Sequence, residues 1–178
     1  WYRRWAIWYI EMNCELNGLK IKYEDGKLWR EMSGNEIVKK SYWREMKGSV
    51  HKITGYRIVK INYKAYQYHR VVYFIHNQEW KIHDISMSNH IDHIDRNRLN
   101  NSIENLRVVT HLQNAWNQYS KGYCINKCGN YQAQIGVNGG VKYLGTFKNP
   151  EDARQAYLEA KKIYHPYING VEEIEPRK

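Results

Sequence analysis

The most informative segment of this chain is residues 91–107, which read IDHIDRNRLNNSIENLR. An Asp-His pair stands near its start, and a turn dense in Asn follows. Asn105 and Leu106 then enter a second strand candidate, and Asn114 comes eight residues after Leu106 in a stretch whose second half has a helical pattern. The segment therefore places a carboxylate, an imidazole and several side-chain amides within a short length of chain.

These residue types match the requirements of phosphodiester hydrolysis. That reaction needs an activated water, charge neutralisation on the phosphate and help for the leaving oxygen. A neutral His can take the proton of the water at physiological pH, which is a task for His93. A hard divalent cation is held by carboxylate and amide oxygens, which Asp92 and Asn114 would supply.

Strand and turn signals precede this segment. The sequence from Leu19 to Arg30 contains a Glu-Asp-Gly-Lys turn between two strand candidates. A second hairpin is predicted around Asn62 and Tyr63, and the apolar run Val71–Ile75 is interpreted as a buried helix rather than a strand.

A small sheet with one amphipathic helix is predicted for residues 120–165. Residues 131–137 alternate between apolar and polar, residues 138–140 supply a tight turn, and residues 141–147 form the return strand. Asn149 is expected to cap the following helix, with Pro150 at its first position. The predicted apolar face of that helix consists of Ala153, Ala156, Tyr157, Ala160, Ile163 and Tyr164.

The charge pattern favours an acidic polymer as partner. Net charge is +10, and residues 37–70 contain nine basic residues against Glu45 alone. Residues 119–150 contain four Lys and no acidic residue. Sixteen Tyr and seven Trp suit a surface that pairs cations with phosphates and rings with sugars or bases. The alternative at this stage is an ordinary solvated basic face.

Composition narrows the protein class. Three Cys are too few for a disulfide framework, which favours a reducing compartment. Cys124 and Cys128 have no second pair to complete a zinc site, so we expect small buried thiols. No apolar run approaches the roughly 20 residues that span a bilayer. The aromatic opening has no signal-peptide cleavage site, and its Trp residues are expected to pack in a core. Met12 is an alternative start, and residues 1–11 are assigned no function.

Residues 56–117 resemble the His-Asn-His (HNH) homing endonucleases of phages and mobile introns. The matching pieces are Tyr68-His69-Arg70-Val71-Val72-Tyr73, Ile91-Asp92-His93-Ile94-Asp95, Asn100-Asn101, Glu104-Asn105-Leu106-Arg107 and Gln113-Asn114. In that family, two strands and a helix, the ββα-metal or His-Me finger, grip one metal ion.

The resemblance implies a role for each matching site residue. Asp92 and Asn114 become metal ligands, His93 becomes the general base, and Asn105 bridges the hairpin strands and fixes the loop. The family often has Gly where this chain has Arg96. Arg96 must therefore tolerate that backbone or lie in a different turn, and it could also reach a phosphate.

Residues 120–165 resemble the DNA-binding domain of plant ethylene-response factors (APETALA-two type), which also occurs appended to phage HNH nucleases. The matching pieces are Tyr131-Gln132-Ala133-Gln134-Ile135, Tyr143-Leu144-Gly145-Thr146-Phe147 and Asp152-Ala153-Arg154-Gln155-Ala156-Tyr157. That domain lays its sheet in the DNA major groove. The resemblance implies the DNA-contacting residues Asn126, Gln134 and Tyr143 on the sheet face, and Lys127 and Lys142 at phosphates. Arg and Trp contacts of the plant domains are replaced here by Cys124, Cys128, Gly136 and Val141, and a plain solvated face is the alternative.

Structural roles are expected for several other polar residues. His69 is interpreted as satisfying a backbone group before a helix, and Asn97, Asn100 and Asn101 as turn formers. Structural roles are also expected for His51, His76, His83, His90, His111 and His165. A zinc cluster of His90, His93 and His111 is disfavoured because no Cys pair supports it.

These observations predict an α+β protein with a ββα-metal core, followed by a three-stranded sheet plus one helix. The expected domains are an N-terminal basic region (1–55), the HNH domain (56–118), the ethylene-response-factor-like domain (119–166) and an acidic tail (167–178). The expected function is metal-dependent cleavage of double-stranded DNA, of homing type and encoded by a phage or mobile element. Arg70, Arg96 and Arg98 join the expected DNA contacts.

The cofactor expected at the site is one divalent ion, Mg²⁺ with Mn²⁺ as an alternative. The expected partner is double-stranded DNA, bound by a monomer or a weak dimer, in the cytoplasm of the host cell, with neither secretion nor membrane association. Two rivals remain at this stage: a DNA-binding regulator whose nuclease core is silent, and a structural zinc module that binds RNA. The complete Asp-His-Asn-Asn set disfavours the first, and the shortage of Cys disfavours the second.

Overall fold

The computed structural model describes residues 13–34, 37, 40–137 and 139–165. Contacts divide the chain into two compact units, Trp1–Val108 and Val109–Lys178. The described residues form, in order, β1 (Asn13–Leu16), β2 (Leu19–Glu24), β3 (Lys27–Met32), β4 (Tyr42–Glu45), β5 (Ser49–Val50), β6 (Arg57–Ile61), β7 (Lys64–Gln67), α1 (Tyr68–His76), β8 (His90–His93), a 3-10 turn (Ile103–Asn105), β9 (Leu106–Val109), α2 (His111–Trp116), β10 (Tyr123–Ile125), β11 (Tyr131–Val137), β12 (Gly140–Phe147) and α3 (Pro150–Tyr164). The domain boundaries expected after residues 55, 118 and 166 stay predictions.

The first unit begins with an antiparallel sheet in the order β1–β2–β3–β4. Asp25 and Gly26 make the turn between β2 and β3 with φ of 50° and 74°. Asp and Gly are among the residues that tolerate this left-handed backbone. The predicted turn between two strands is confirmed.

A second sheet, β5–β6–β7, leads directly into α1. Its predicted hairpin is confirmed, since Asn62 and Tyr63 both have positive φ at the turn. The predicted helix around residues 71–75 is also confirmed. Tyr68 Oη accepts a hydrogen bond of 2.8 Å from the buried backbone N–H of Leu28, which attaches the start of α1 to the first sheet.

One apolar core joins these elements. Val71, Val72 and Ile75 on α1 have almost no exposed surface. Full burial of one such side chain contributes about 1.5–3 kcal/mol. The buried members of the core are Leu16, Ile21, Leu28, Met46, Val59, Ile61, Tyr66, Tyr68, Val71, Val72, Ile75, Ile82, Ile91 and Leu106. Because Ile91 and Leu106 belong to it, the core fixes the two strands β8 and β9 that flank the polar loop.

The second unit contains the predicted sheet and helix. The sheet has the order β10–β11–β12, and α3 covers one of its faces through Ile135, Tyr157 and Ala160. Asn149 Oδ1 accepts from the backbone N–H of Asp152, so the predicted helix cap is confirmed. A Cβ on Gly122 would lie 2.0 Å from the Tyr157 ring, which explains glycine where β10 passes closest to the helix.

Two expectations about burial are wrong. Ile163, placed on the apolar face of α3, is exposed, while Lys161 on the same helix is buried. Lys161 lies over the Tyr157 ring, so its methylene stem covers apolar surface that a shorter side chain would leave wet. Cys124 and Cys128 are exposed rather than buried, because β10 and the turn after it lie at the edge of a three-stranded sheet.

The expectations for the aromatic opening and for the acidic tail fall on residues 1–12 and 166–178, outside the described residues. None of the helices that the structure describes is long and apolar enough to cross a membrane.

Candidate active site

The loop between β8 and β9 is held by Asn105. Its Oδ1 accepts from the backbone N–H of Asp95 (3.0 Å), while its Nδ2 donates to Asp95 Oδ1 (2.9 Å) and to the carbonyl of Asn100 (2.8 Å). The backbone N–H of Ile94 donates to the carbonyl of Asn105 (2.9 Å). One buried amide therefore binds both ends of the loop, a geometry that suits the strand-bridging role expected of it.

Asp95 is the second centre of this network. Its Oδ2 accepts from Asn100 Nδ2 (2.7 Å), and its Oδ1 accepts from the backbone N–H of Asn97 (2.7 Å). Partial burial raises the pKa of Asp95, but these hydrogen bonds and that of Asn105 outweigh burial and leave the pKa below its ordinary value. Asp95 is thus an ionised organiser of the turn, and Asn97 and Asn100 are turn formers as expected.

Arg96 tolerates the turn backbone that often carries Gly. Its φ is 61°, in the left-handed region, and its N–H donates to the carbonyl of His93 (2.9 Å). A non-glycine residue in this region costs roughly 1–2 kcal/mol. The hydrogen bonds of Asp95 and Asn105 hold the turn in spite of that cost. Of the two expected outcomes, Arg96 therefore tolerates this backbone rather than lying in a different turn.

His93 is buried at the end of β8 and has a defined polar partner. Its Nε2 lies 3.1 Å from Asn101 Oδ1, and Asn101 Nδ2 donates to the carbonyl of Leu99, which orients the amide. Since Oδ1 can only accept, Nε2 carries the proton and Nδ1 is the basic nitrogen of the neutral ring. Burial lowers the pKa of His93, although the Asn101 hydrogen bond and the charges of Asp95 and Asp92 oppose that effect. The ring is therefore neutral at physiological pH and able to accept a proton.

Two aromatic rings pack around His93. The ring centroid of His69 lies 4.8 Å from that of His93 at 73°, and Tyr56 lies 5.0 Å from His69 and 5.9 Å from His93. The expectation that His69 satisfies a backbone group is wrong, because its buried Nδ1 has no hydrogen-bond partner. His69 lies inside the first turn of α1, and its ring packs against His93 and Tyr56. Burial, followed by the charges of His93 and Arg70, lowers its pKa to about 3.

Asp92, the expected metal ligand, is buried and pairs with Arg107 of β9. Both guanidinium contacts go to Asp92 Oδ2, from Nε at 3.0 Å and from Nη2 at 2.8 Å. The side-chain exposure is 6% for Asp92 and 26% for Arg107. Burying a carboxylate this completely is costly unless a cation pairs with it, and Arg107 is such a partner.

Asn114 lies on α2, in the second unit, and is half-buried there. A complete capping box starts this helix: Gln113 N–H donates to Thr110 Oγ1, and Thr110 N–H donates to Gln113 Oε1. Trp116 at its other end stacks on His165 at 4.5 Å. A short helix with both ends tied can present Asn114 in a defined orientation, and its part in a metal site stays a prediction.

The donor chemistry fits an oxygen-binding cation. Among the residues the structure describes, no three His, Cys, Asp or Glu side chains come together as a metal cluster. The zinc cluster of His90, His93 and His111 therefore finds no support there. Carboxylate and amide oxygens, the types that Asp92 and Asn114 carry, are ligands that Mg²⁺ and Mn²⁺ accept, and their use in one metal site stays a prediction.

Arg70 does not have the position expected of a DNA contact. Its guanidinium donates to the carbonyls of Ile82 (2.7 Å), Asp84 (3.0 Å) and Asn89 (3.2 Å), and it lies 4.6 Å over the Trp80 ring. Burial lowers the pKa of Arg70 from its ordinary value. Arg70 therefore organises the segment that leads from α1 to β8. Its planar guanidinium donates hydrogen bonds to backbone carbonyls that lie outside the helices and strands.

Arg98 is exposed and lies over the Tyr56 ring at 5.0 Å, with Nη1 donating to the carbonyl of Thr54 (2.8 Å). Its charge contributes to lowering the pKa of His93 after burial has had the larger effect. An exposed cation beside the ring cluster is compatible with a phosphate contact, which stays a prediction.

In the second unit, Gln134 and Tyr143 lie opposite one another on the exposed face of the sheet, as expected. Lys127 is exposed in the turn after β10. Lys142 is opposite the buried Ile135, so it lies on the helix side of the sheet, and its Nζ donates to Tyr164 Oη. This side follows from the two-residue period of the strand, and the phosphate contact expected of Lys142 stays a prediction.

Asn126 is not on the sheet face either. Its Oδ1 accepts from the backbone N–H groups of Cys128 and Asn130, both at 3.0 Å. These contacts make it the organiser of the turn between β10 and β11.

Sequence reasoning missed two functional neighbours. Asn101 was assigned to the turn alone, yet it orients His93. Arg107 belongs to a matching piece of the motif, and the sequence predicts no role for it, yet it pairs with Asp92. The available signal was position: Arg107 follows Asn105 by two residues on the strand paired with β8.

Comparison with known proteins agrees with this geometry. Residues 66–116 match the sequence profile of the HNH endonuclease family. An uncharacterized HNH endonuclease of Acanthamoeba polyphaga mimivirus is 36% identical over 83 residues, which cover 42% of this chain and 43% of that protein. The chain thus spans less than half the length of this relative. No solved structure matches the chain. The two similarities support a nuclease, and the profile match ends before the sheet of the second unit.

Proposed function

We propose that this protein is a metal-dependent endonuclease that hydrolyses phosphodiester bonds in double-stranded DNA, as a homing-type nicking or cleaving enzyme. The observation that carries the proposal is the buried, neutral His93 beside Asp92, with its Nε2 held by Asn101. A neutral histidine held in one orientation is what general-base chemistry at physiological pH requires.

His93 acts as the general base through Nδ1, which takes a proton from the attacking water. Asn101 keeps the ring in the productive tautomer, and Asn105 keeps the loop around it closed. Asp92 and Asn114 would hold one divalent ion, Mg²⁺ or Mn²⁺, in a ββα-metal arrangement. When bound, such an ion supplies charge neutralisation on the phosphate and on the leaving oxygen.

DNA binding uses cations from both units. The first unit contributes the exposed Arg98 and the basic strands β4–β7, and Arg96 lies in the loop next to the site. The second unit contributes Lys127 and the exposed face around Gln134 and Tyr143, in the manner of an ethylene-response-factor-type sheet. Contacts between cations and phosphates supply most of the affinity for DNA, and contacts to bases are made by the exposed face of the sheet in the second unit.

The enzyme acts as a monomer or weak dimer on DNA in the cytoplasm of a host cell, and is encoded by a phage or other mobile element. Because the described part of the chain contains one candidate site, each encounter cuts one strand, and a double-strand break requires two encounters or a dimer.

The test is incubation of the protein with supercoiled plasmid, with and without Mg²⁺, followed by gel electrophoresis. We expect nicked circles with the metal and intact supercoils with a chelator. Binding of the plasmid with no nicking under any metal condition would favour the silent DNA-binding regulator instead.

A further inference from the structure

The ion pair between Asp92 and Arg107 has a consequence for the order in which ligands bind. Asp92 is almost completely buried, and both contacts from the guanidinium converge on one of its carboxylate oxygens. Arg107 is about one quarter exposed, so part of its side chain remains in contact with solvent. The carboxylate expected to hold the metal is thus already neutralised in the DNA-free protein.

Neutralisation of this kind weakens the binding of a divalent cation. A hard cation is attracted chiefly by ligand charge, and Asp92 is the single carboxylate assigned to it. Even at the dielectric constant of water, repulsion between a double and a single positive charge that share one carboxylate corresponds to about a tenfold loss of affinity.

A DNA phosphate removes this obstacle. It is an anion that fits the bidentate geometry of a guanidinium, and the side chain of Arg107 is partly exposed to solvent. A phosphate at the site also adds negative charge for the cation. Each ligand then strengthens the binding of the other.

We propose that Arg107 makes metal binding depend on DNA: the site holds its divalent ion weakly in the free protein and tightly once a DNA phosphate pairs with Arg107. The inference rests on the proposed function, since it assumes that Asp92 is a metal ligand. By thermodynamic linkage, the factor by which DNA strengthens metal binding equals the factor by which the metal strengthens DNA binding. Such coupling would restrict cleavage chemistry to the DNA-bound protein.

The test measures Mn²⁺ affinity from the electron paramagnetic resonance signal of free Mn²⁺. The full chain carries His93→Ala to prevent cleavage, and a 30-base-pair duplex is present or absent, with the Mn²⁺ bound by duplex alone subtracted. In this background Arg107→Met should raise the affinity without DNA by about tenfold. It should also reduce the gain in affinity that DNA produces.

Two further variants separate charge from folding. Arg107→Lys keeps the cation and should keep the weak DNA-free affinity, whereas Lys27→Met removes an exposed charge at the start of β3, outside the proposed DNA-binding strands, and should match the parent. Circular dichroism verifies that each variant is folded. If Arg107→Met fails to fold, Arg107→Gln takes its place, because it also removes the charge and should raise the DNA-free Mn²⁺ affinity in the same way.

The outcomes are distinct. Equal or weaker Mn²⁺ binding by a folded Arg107→Met variant would overturn the inference, as would equal affinity of the parent with and without DNA. If the parent binds no Mn²⁺ under either condition and the wild-type chain does not nick plasmid, the proposed function itself fails. Nicking by the wild type together with an unmoved Mn²⁺ affinity would refute the coupling alone.

Discussion

The buried imidazole of His69 should make the protein lose stability in mild acid. His69 lies on the first turn of α1, its side chain is buried, and its Nδ1 has no hydrogen-bond partner. Its pKa is lowered from 6.5 to about 3. In the unfolded chain the ring takes up a proton near its ordinary pKa, whereas in the folded chain it does not. The stability that the folded protein owes to an uncharged His69 is therefore present above about pH 6.5. This stability is lost as the pH falls from 6.5 towards 3.

The size of the effect follows from the two pKa values. Each pH unit between them costs about 1.4 kcal/mol of unfolding free energy. From pH 7 to pH 4.5 the loss due to His69 should thus be about 2.5 kcal/mol. His69→Phe keeps a ring against His93 and Tyr56 but cannot be protonated, so its unfolding free energy should fall by about 2.5 kcal/mol less than that of the wild type over the same interval.

The assay is urea unfolding at several pH values, followed by tryptophan fluorescence and by circular dichroism. A matched control is His51→Phe, which removes an exposed imidazole from the first unit and should leave the pH dependence as in the wild type. Parallel pH curves for the wild type and His69→Phe would refute the reasoning, because they would mean that His69 takes up its proton equally in both states.

Three further predictions concern the site and the DNA contact. His93→Ala should lower the cleavage rate by about 10²–10⁴-fold and leave plasmid affinity in a gel-shift titration unchanged, because a general base acts in the chemical step. His51→Ala is the matched control. Cleavage by His93→Ala at the wild-type rate would remove His93 from the site. Asp92→Asn should raise the Mg²⁺ concentration needed for half-maximal nicking, since it removes the assigned carboxylate, and an unmoved metal titration would contradict that assignment. Joint replacement of the exposed Lys127 and Lys148 by Ala should flatten the log–log salt dependence of DNA binding by up to about 1.8, at roughly 0.9 per phosphate contact. An unchanged slope would mean that neither lysine touches DNA.

Local chemistry explains why much of the fold could be predicted. The turns at Asp25-Gly26 and Asn62-Tyr63 and the Asn149 cap depend on residues within a few positions of one another. So does the alternation of β11, whose buried Ala133 and Ile135 have the period of two that the sequence shows. For such features the sequence contains nearly all of the physical cause.

The misassigned residues have a different origin. Arg70 was expected at DNA, but its partners are carbonyls 12 to 19 residues away in the segment before β8. The face of the sheet on which Lys142 lies likewise follows from the pairing of β12 with β11, while its expected phosphate contact stays a prediction. A charged side chain looks the same in a sequence whether its partner is solvent, a carbonyl or a phosphate.

The sequence by itself determined the residue types of the candidate site and the small elements that carry them, because spacing along the chain specifies strand, turn and helix. Only the tertiary structure decided which partner each polar group has. It brought Asn101 to His93, placed Arg107 on Asp92 across 15 residues, and buried the Nδ1 of His69 without a hydrogen-bond partner. The physical reason is that desolvation and charge pairing depend on neighbours in space, and the core formed by α1 with β8 and β9 selects those neighbours.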